Sequence, residues 1–127
     1  MSSTSDNIAV WFEIPVTDLD RACRFYETMF GCTLKREAFG PDMMMAIFDA
    51  AEGAVKGALV HGPIYRPGAD GTLVYLNGGA DLAEPLSRVE AVGGQVLIGK
   101  TRINDTCGYY AVFMDSEGNR VGLHSMT

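Results

Sequence analysis

The chain has 127 residues, of which 47% are hydrophobic, and this length suits one compact domain with a buried core. Sixteen acidic residues against ten basic ones give a formal net charge of −6, and no cluster of lysines or arginines opposes it. A negative field of this kind repels phosphate backbones and anionic lipid surfaces, so we expect neither nucleic acid nor a membrane as a partner.

The cysteines indicate a reducing compartment. Cys23, Cys32 and Cys107 are odd in number and lack the spacing of a zinc site, so they predict neither a disulfide framework nor structural metal. Residues 1–7 are polar and small, unlike a signal peptide, and no later segment has the roughly 20 apolar residues of a membrane span. We therefore expect a cytoplasmic protein with a flexible N-terminal tail over residues 1–7.

The first half of the chain predicts the order strand, helix and three strands. Residues 8–16 are rich in β-favouring side chains and predict the first strand. Asp18 is placed to cap a helix that Gly31 ends, because apolar residues recur between them at helical spacing: Leu19, Ala22, Phe25, Tyr26 and Phe30. Three further strands are predicted over residues 32–38, 42–48 and 56–61.

The second half predicts the same order again after a linker. Residues 62–71 contain two prolines and three glycines and have the composition of a connecting loop. A strand over residues 72–77 then precedes a helix over residues 82–92, which Asp81 caps and Gly93 and Gly94 end. The last three strands are predicted over residues 95–101, 108–114 and 120–125.

A constant offset relates the two halves. It carries Asp18 onto Asp81, Gly31 onto Gly94 and His61 onto His124. The halves therefore predict two tandem βαβββ modules, residues 8–62 and 72–126, within one domain of residues 8–126. In this α+β architecture each module has a mixed sheet with a helix on one face, and the other face is left for its twin to bury around a cavity.

Two motifs at opposite ends of the chain carry a family resemblance. Residues 12–22, followed by Phe25-Tyr26 and Phe30-Gly31, resemble the opening of vicinal-oxygen-chelate proteins, the superfamily of glyoxalases, bleomycin resistance proteins and dioxygenases. Residues 113–123 look like the closing hairpin of that family. The resemblance implies the glyoxalase fold, in which paired βαβββ modules form a curved mixed sheet around a cavity, and a homodimer.

The resemblance also implies where a metal would bind. Metal-dependent members take one ligand from the first and one from the last strand of each module. Those positions fall here on Trp11, Leu59, Val74 and Gly122, with Leu59 uncertain by one residue. Divalent metals of this class need imidazole, carboxylate or thiolate ligands, so we expect no cofactor at the family's usual site.

Three polar residues near these positions keep other chemistry open. Side chains alternate along a strand, so residues two positions further on point the same way: Glu13, His61 and His124. They are the candidate catalytic residues. One role is an acid/base group, and the other is a metal site for Fe, Mn, Ni or Zn that is displaced by two residues from the family's usual ligand positions. The alternative is a polar rim that orients an organic ligand. Whether the protein is an enzyme stays open.

The leading functional hypothesis is a glyoxalase/bleomycin-resistance-like protein that binds a small organic molecule. The candidate ligand-binding residues are Trp11, Tyr75, Asn77, Tyr109 and Phe113. Strand register decides which of them face the cavity, and a slip of one residue reverses the answer. The alternatives are a metal-dependent lyase, isomerase or dioxygenase at the displaced site, and a non-catalytic dimerising module.

Overall fold

The fold repeats one βαβββ unit twice. The computed structural model describes residues 7–38 and 40–127, so the predicted tail, apart from Asn7, lies outside the described residues. The first module contains β1 (Trp11–Pro15), α1 (Leu19–Phe30), β2 (Lys35–Ala38), β3 (Met44–Ile47) and β4 (Lys56–His61). The second contains β5 (Tyr75–Asn77), α2 (Ala83–Leu86), a 3₁₀ turn (Glu90–Val92), β6 (Gln95–Asn104), β7 (Gly108–Met114) and β8 (Arg120–Ser125).

Each module forms its own four-stranded mixed sheet. The strand orders are β1-β4-β3-β2 and β5-β8-β7-β6. The first and last strands of each module run parallel, and the other neighbours are antiparallel. The repeated order confirms the two predicted modules and the predicted α+β class.

Helix α1 forms where the capping residues predict it. The Asp18 carboxylate accepts a hydrogen bond of 3.0 Å from the amide of Arg21, and Gly31 ends the helix at a φ of +64°. Its buried stripe is Ala22, Cys23, Phe25, Tyr26 and Met29. No helix in residues 7–38 or 40–127 has the length and apolarity needed to cross a bilayer.

The prediction of one helix over residues 82–92 is wrong. Asp81 does accept a hydrogen bond from the amide of Ala83 at 2.9 Å, but α2 ends at Leu86. Beyond it the amides of Arg88 and Val89 bond to carbonyls three residues back, which is the tighter 3₁₀ pattern. The Ser87 hydroxyl also donates to the Glu84 carbonyl at 2.7 Å and so competes for a helix acceptor.

One core serves both modules. Phe25 of α1 lies with its ring centroid 6.0 Å from that of Phe113 on β7, and both residues are fully buried. The same cluster takes Leu59 from the first sheet and Leu123 from the second. The modules therefore pack through the sheet sides that face this core, and we call the opposite side of each sheet its open face. The expectation that the twin module would bury the open faces is wrong, because Trp11 of the first sheet and Tyr75 of the second lie on them and are 42% and 48% exposed.

A carboxylate from the second module binds the start of α1 in the first. Glu117 lies in the β7–β8 turn, and its side chain accepts hydrogen bonds from the amides of Thr17 and Asp18, each at 2.9 Å, and from Arg21 Nε at 2.7 Å. Burial alone would raise the pKa of Glu117, but the bonds from Arg21 and the two amides outweigh it and lower that pKa to about 2. The folded structure therefore stabilises the ionised form of Glu117.

A second buried link lies beside it. The Tyr26 hydroxyl donates to Asp115 Oδ2 at 2.7 Å, and burial, followed by the negative charge of Asp115, raises the pKa of Tyr26. Asn119 donates through Nδ2 to the Pro15 carbonyl at 2.7 Å. Both of these hydrogen bonds join a residue of the first module to a residue of the second.

Glu117→Gln should lower the free energy of unfolding by about 2 kcal/mol at pH 7, because the amide cannot replace the ion pair with Arg21. The folded-state pKa of Glu117 is depressed, so its contribution is present above pH 4.5 and is lost as the pH falls towards 2. Urea unfolding at pH 7 and pH 3 should show the gap between wild type and variant narrowing at pH 3. The exposed Glu84→Gln is the matched control, and an equal loss in both variants would contradict the prediction.

Candidate functional site

The first strand of module one directs an aromatic and an acidic residue to the open face. Phe12 and Ile14 pack against the core, so strand alternation turns Trp11 and Glu13 the other way. The Trp11 side chain is 42% exposed. The structure therefore places both predicted residues on one face.

Both oxygens of Glu13 already have partners. Trp11 Nε1 donates to Oε2 at 3.2 Å and the Tyr65 hydroxyl donates to Oε1 at 2.9 Å. The hydrogen bond to Glu13 is the main reason that the pKa of Tyr65 is raised. Because Tyr65 belongs to the linker, this bond ties the linker to the open face of the first sheet. Glu13 acts here as an anchor for the indole and the linker.

His61 points away from Glu13. In the β3–β4 ladder His61 pairs with Met44 and Leu59 pairs with Ala46, and Leu59 is buried in the core. His61 therefore faces the core side of the sheet, at the exposed end of the strand. Within residues 7–38 and 40–127, no three His, Cys, Asp or Glu side chains are grouped closely enough to hold a metal ion. The predicted displaced site at Glu13, His61 and His124 is not assembled.

The second sheet presents an aromatic hollow on its open face. Tyr75, Ile103, Tyr110 and His124 line a space of about 410 Å³, and Tyr75 is 48% exposed. The Tyr75 and Tyr110 rings meet edge to face with centroids 6.5 Å apart. A neighbouring hollow of about 730 Å³ shares Tyr75 and His124 and also includes Asn77. The Asn77 side chain accepts a hydrogen bond from the Gly79 amide at 2.8 Å, so it also stabilises the turn after β5.

Two predicted lining residues lie on the other side of β7. Phe113 is fully buried in the core, and Tyr109 packs against the same core with Lys100 Nζ 4.6 Å from its ring centroid. The prediction that they line the ligand cavity is wrong because the register differs by one residue. The residue that sequence reasoning missed is Tyr110, and no local signal separates it from its neighbour Tyr109.

The register also moves two of the positions that the resemblance assigns to metal ligands. Leu59 is buried in the core and Val74 packs against it, so their neighbours Ala58 and Tyr75 take the open-face positions. Tyr75 pairs with Gly122, and a Cβ at residue 122 would lie 2.5 Å from a carbon of the Tyr75 ring. The aromatic ring therefore occupies the space where a side chain at 122 would begin.

The paired modules and their strand order match a known family. The sequence profile of the Glyoxalase/Bleomycin resistance protein/Dioxygenase superfamily covers residues 8–123. The chain belongs to this superfamily. The match spans both modules, the linker and the closing hairpin, so the resemblance inferred from the two end motifs is confirmed.

Solved structures share the fold at low sequence identity. A hypothetical protein from S. aureus is 18% identical over 94% of both chains, with a TM-score of 0.64. A glyoxalase-related enzyme from Fulvimarina pelagi is 17% identical over 91% of this chain and 86% of its own, with a TM-score of 0.63. The trypanothione-dependent glyoxalase I of Leishmania major is 15% identical over 94% and 87%, with a TM-score of 0.66. No curated protein matches the chain.

The register of β7 in this superfamily member predicts opposite outcomes for two ring deletions. Phe113→Ala should lower the free energy of unfolding by about 3 to 5 kcal/mol, because it leaves a cavity in the shared core. Tyr110→Ala should cost less than about 1.5 kcal/mol, because its ring lies on the partly exposed open face. Chemical unfolding of the two variants measures the difference, and a larger loss for Tyr110→Ala would show that the register is reversed.

Proposed function

We propose that this superfamily member binds a small organic molecule on the open faces of its sheets, without a metal at the family's usual ligand positions. The observation that carries the proposal is the placement of Trp11 and Tyr75. Each ring lies on the first strand of its module, on the open face, and each is close to half exposed. Exposed aromatic rings beside a few polar groups are typical of small-molecule sites.

The residues at the usual ligand positions do not fit a divalent metal. Trp11, Ala58 and Gly122 have no side-chain atom that coordinates such an ion, and Tyr75 offers only a phenol. These residue types favour ligand recognition by ring contact and hydrogen bonding. The displaced alternative lacks support because Glu13 and His61 lie on opposite sides of the first sheet.

Binding has more support than catalysis or a purely dimerising role. The carboxylate of Glu13 is held by two donors, and neither donor is a histidine that could form an acid/base pair with it. A purely dimerising surface needs no hollow, whereas the rings of the second sheet line a space of about 410 Å³. The homodimer and the cytoplasmic location stay predictions.

Calorimetric titration with flat aromatic molecules, such as indole, coumarin and 2-naphthol, should show saturable binding. Tyr75→Ala should weaken that binding by about fivefold or more, because a ring contact is worth about 1 kcal/mol. Val55→Ala removes an exposed apolar side chain that does not line the aromatic hollow and is the matched control. No heat from any compound, or equal weakening in both variants, would count against the proposal.

Metal analysis tests the second half of the proposal. Protein purified without a histidine tag should contain far less than one equivalent of Fe, Mn, Ni or Zn, because the positions that would coordinate the ion hold no suitable side chains. The double variant Glu13→Ala/His124→Ala should contain the same trace amounts. One equivalent of metal in the wild type that is lost in the double variant would contradict the proposal and support the displaced metal site instead.

A further inference from the structure

We propose that the hollow lined by Tyr75, Ile103, Tyr110 and His124 selects planar aromatic molecules that carry a phenolic hydroxyl, and that Nδ1 of His124 accepts the hydrogen bond from this hydroxyl. The inference rests on the proposed function and narrows its ligand class. It names a specificity-determining atom and assigns no reaction to the site.

The hydrogen bond to Cys107 fixes which nitrogen of His124 carries the proton. Nε2 lies 2.6 Å from the carbonyl oxygen of Cys107, and a carbonyl only accepts. Nε2 must therefore donate. A neutral imidazole has one N–H, so Nδ1 is left with a lone pair. Within the described chain, no donor forms a hydrogen bond with that nitrogen.

The turn before β7 holds the Cys107 carbonyl in place. Asn104 Oδ1 accepts hydrogen bonds from the amides of Thr106 at 2.9 Å and Cys107 at 2.6 Å. Gly108 has a φ of +80°, and a Cβ there would lie 2.5 Å from the carbonyl oxygen of Ser125 on β8. The turn is therefore closed by Asn104 and packed against β8 at a position that only glycine fits. His124 also lies on β8, so its Nε2 bonds to a Cys107 carbonyl whose position this turn fixes.

The other walls define the rest of the ligand. Two tyrosine rings and one isoleucine give an apolar, largely aromatic surface, and a space of about 410 Å³ suits one or two fused rings. None of the four lining side chains is a carboxylate, an ammonium or a guanidinium group, so nothing in the lining calls for a charged ligand. Nδ1 of His124 is the strongest hydrogen-bond acceptor among these four side chains, because a phenolic oxygen of Tyr75 or Tyr110 is a weaker acceptor than a neutral imidazole nitrogen. It favours a ligand with one donor and disfavours the same ring without it.

The matched probes are 2-naphthol and 2-methoxynaphthalene, in which a methyl group replaces the hydroxyl hydrogen and removes the only donor. Calorimetry should show that wild type binds 2-naphthol about five- to tenfold more tightly, the value of one hydrogen bond. His124→Phe should keep the affinity for 2-methoxynaphthalene and abolish the preference. His61→Phe is the control, because His61 is the only other histidine and faces the core side of the first sheet. It should keep the wild-type preference.

Two-dimensional ¹⁵N NMR of the wild-type histidines tests the tautomer without any variant. His124 should show a protonated Nε2 and an unprotonated Nδ1, with Nδ1 shifting when 2-naphthol is added. Equal affinity for both probes, a preference that survives His124→Phe, or a protonated Nδ1 in neutral His124 would overturn the inference. If both probes bind equally and Tyr75→Ala weakens both, the inference fails while the proposed function stands. If neither probe nor any other aromatic compound binds, both fail.

Discussion

The arrangement of the two modules depends on the carboxylate of Glu117. A helix begins with amides that have no partner inside the helix, and here a side chain from the other module supplies the acceptor. Arg21 adds an ion pair to the same carboxylate. Since the helix also provides much of the shared core, this contact and the core together hold the core side of one sheet against that of the other. The open faces point away from both.

Local chemistry made most of the fold predictable. Asp18 and Gly31 define the ends of α1 through capping, which depends only on neighbouring residues. Strands β4, β7 and β8 were predicted at their observed bounds because turn-forming residues flank them. The second helix was not predictable in the same way. Its shortening depends on competing hydrogen bonds around Ser87, which the apolar spacing of residues 82–92 does not show.

The site was harder to predict than the fold because it depends on which way each side chain points. The offset that aligns the caps and histidines puts Val74 where the structure has Tyr75 on the open face. One residue of error exchanges the two faces of a strand, so Tyr109 and Phe113 were assigned to the wrong side. The partner of Glu13 was not predictable either, because Tyr65 lies 52 positions away in a linker without regular structure.

Gly122 and Tyr75 are sterically coupled across the β5–β8 pair. A Cβ at position 122 would lie 2.5 Å from a carbon of the Tyr75 ring. A glutamate at 122 would therefore collide with this ring before it could offer an oxygen to an ion, unless the ring moved away. A side chain at 122 fits only together with a smaller residue at 75 or a displaced ring, so the two positions form an epistatic pair. The cost of any substitution at this glycine is set by the residue on the neighbouring strand.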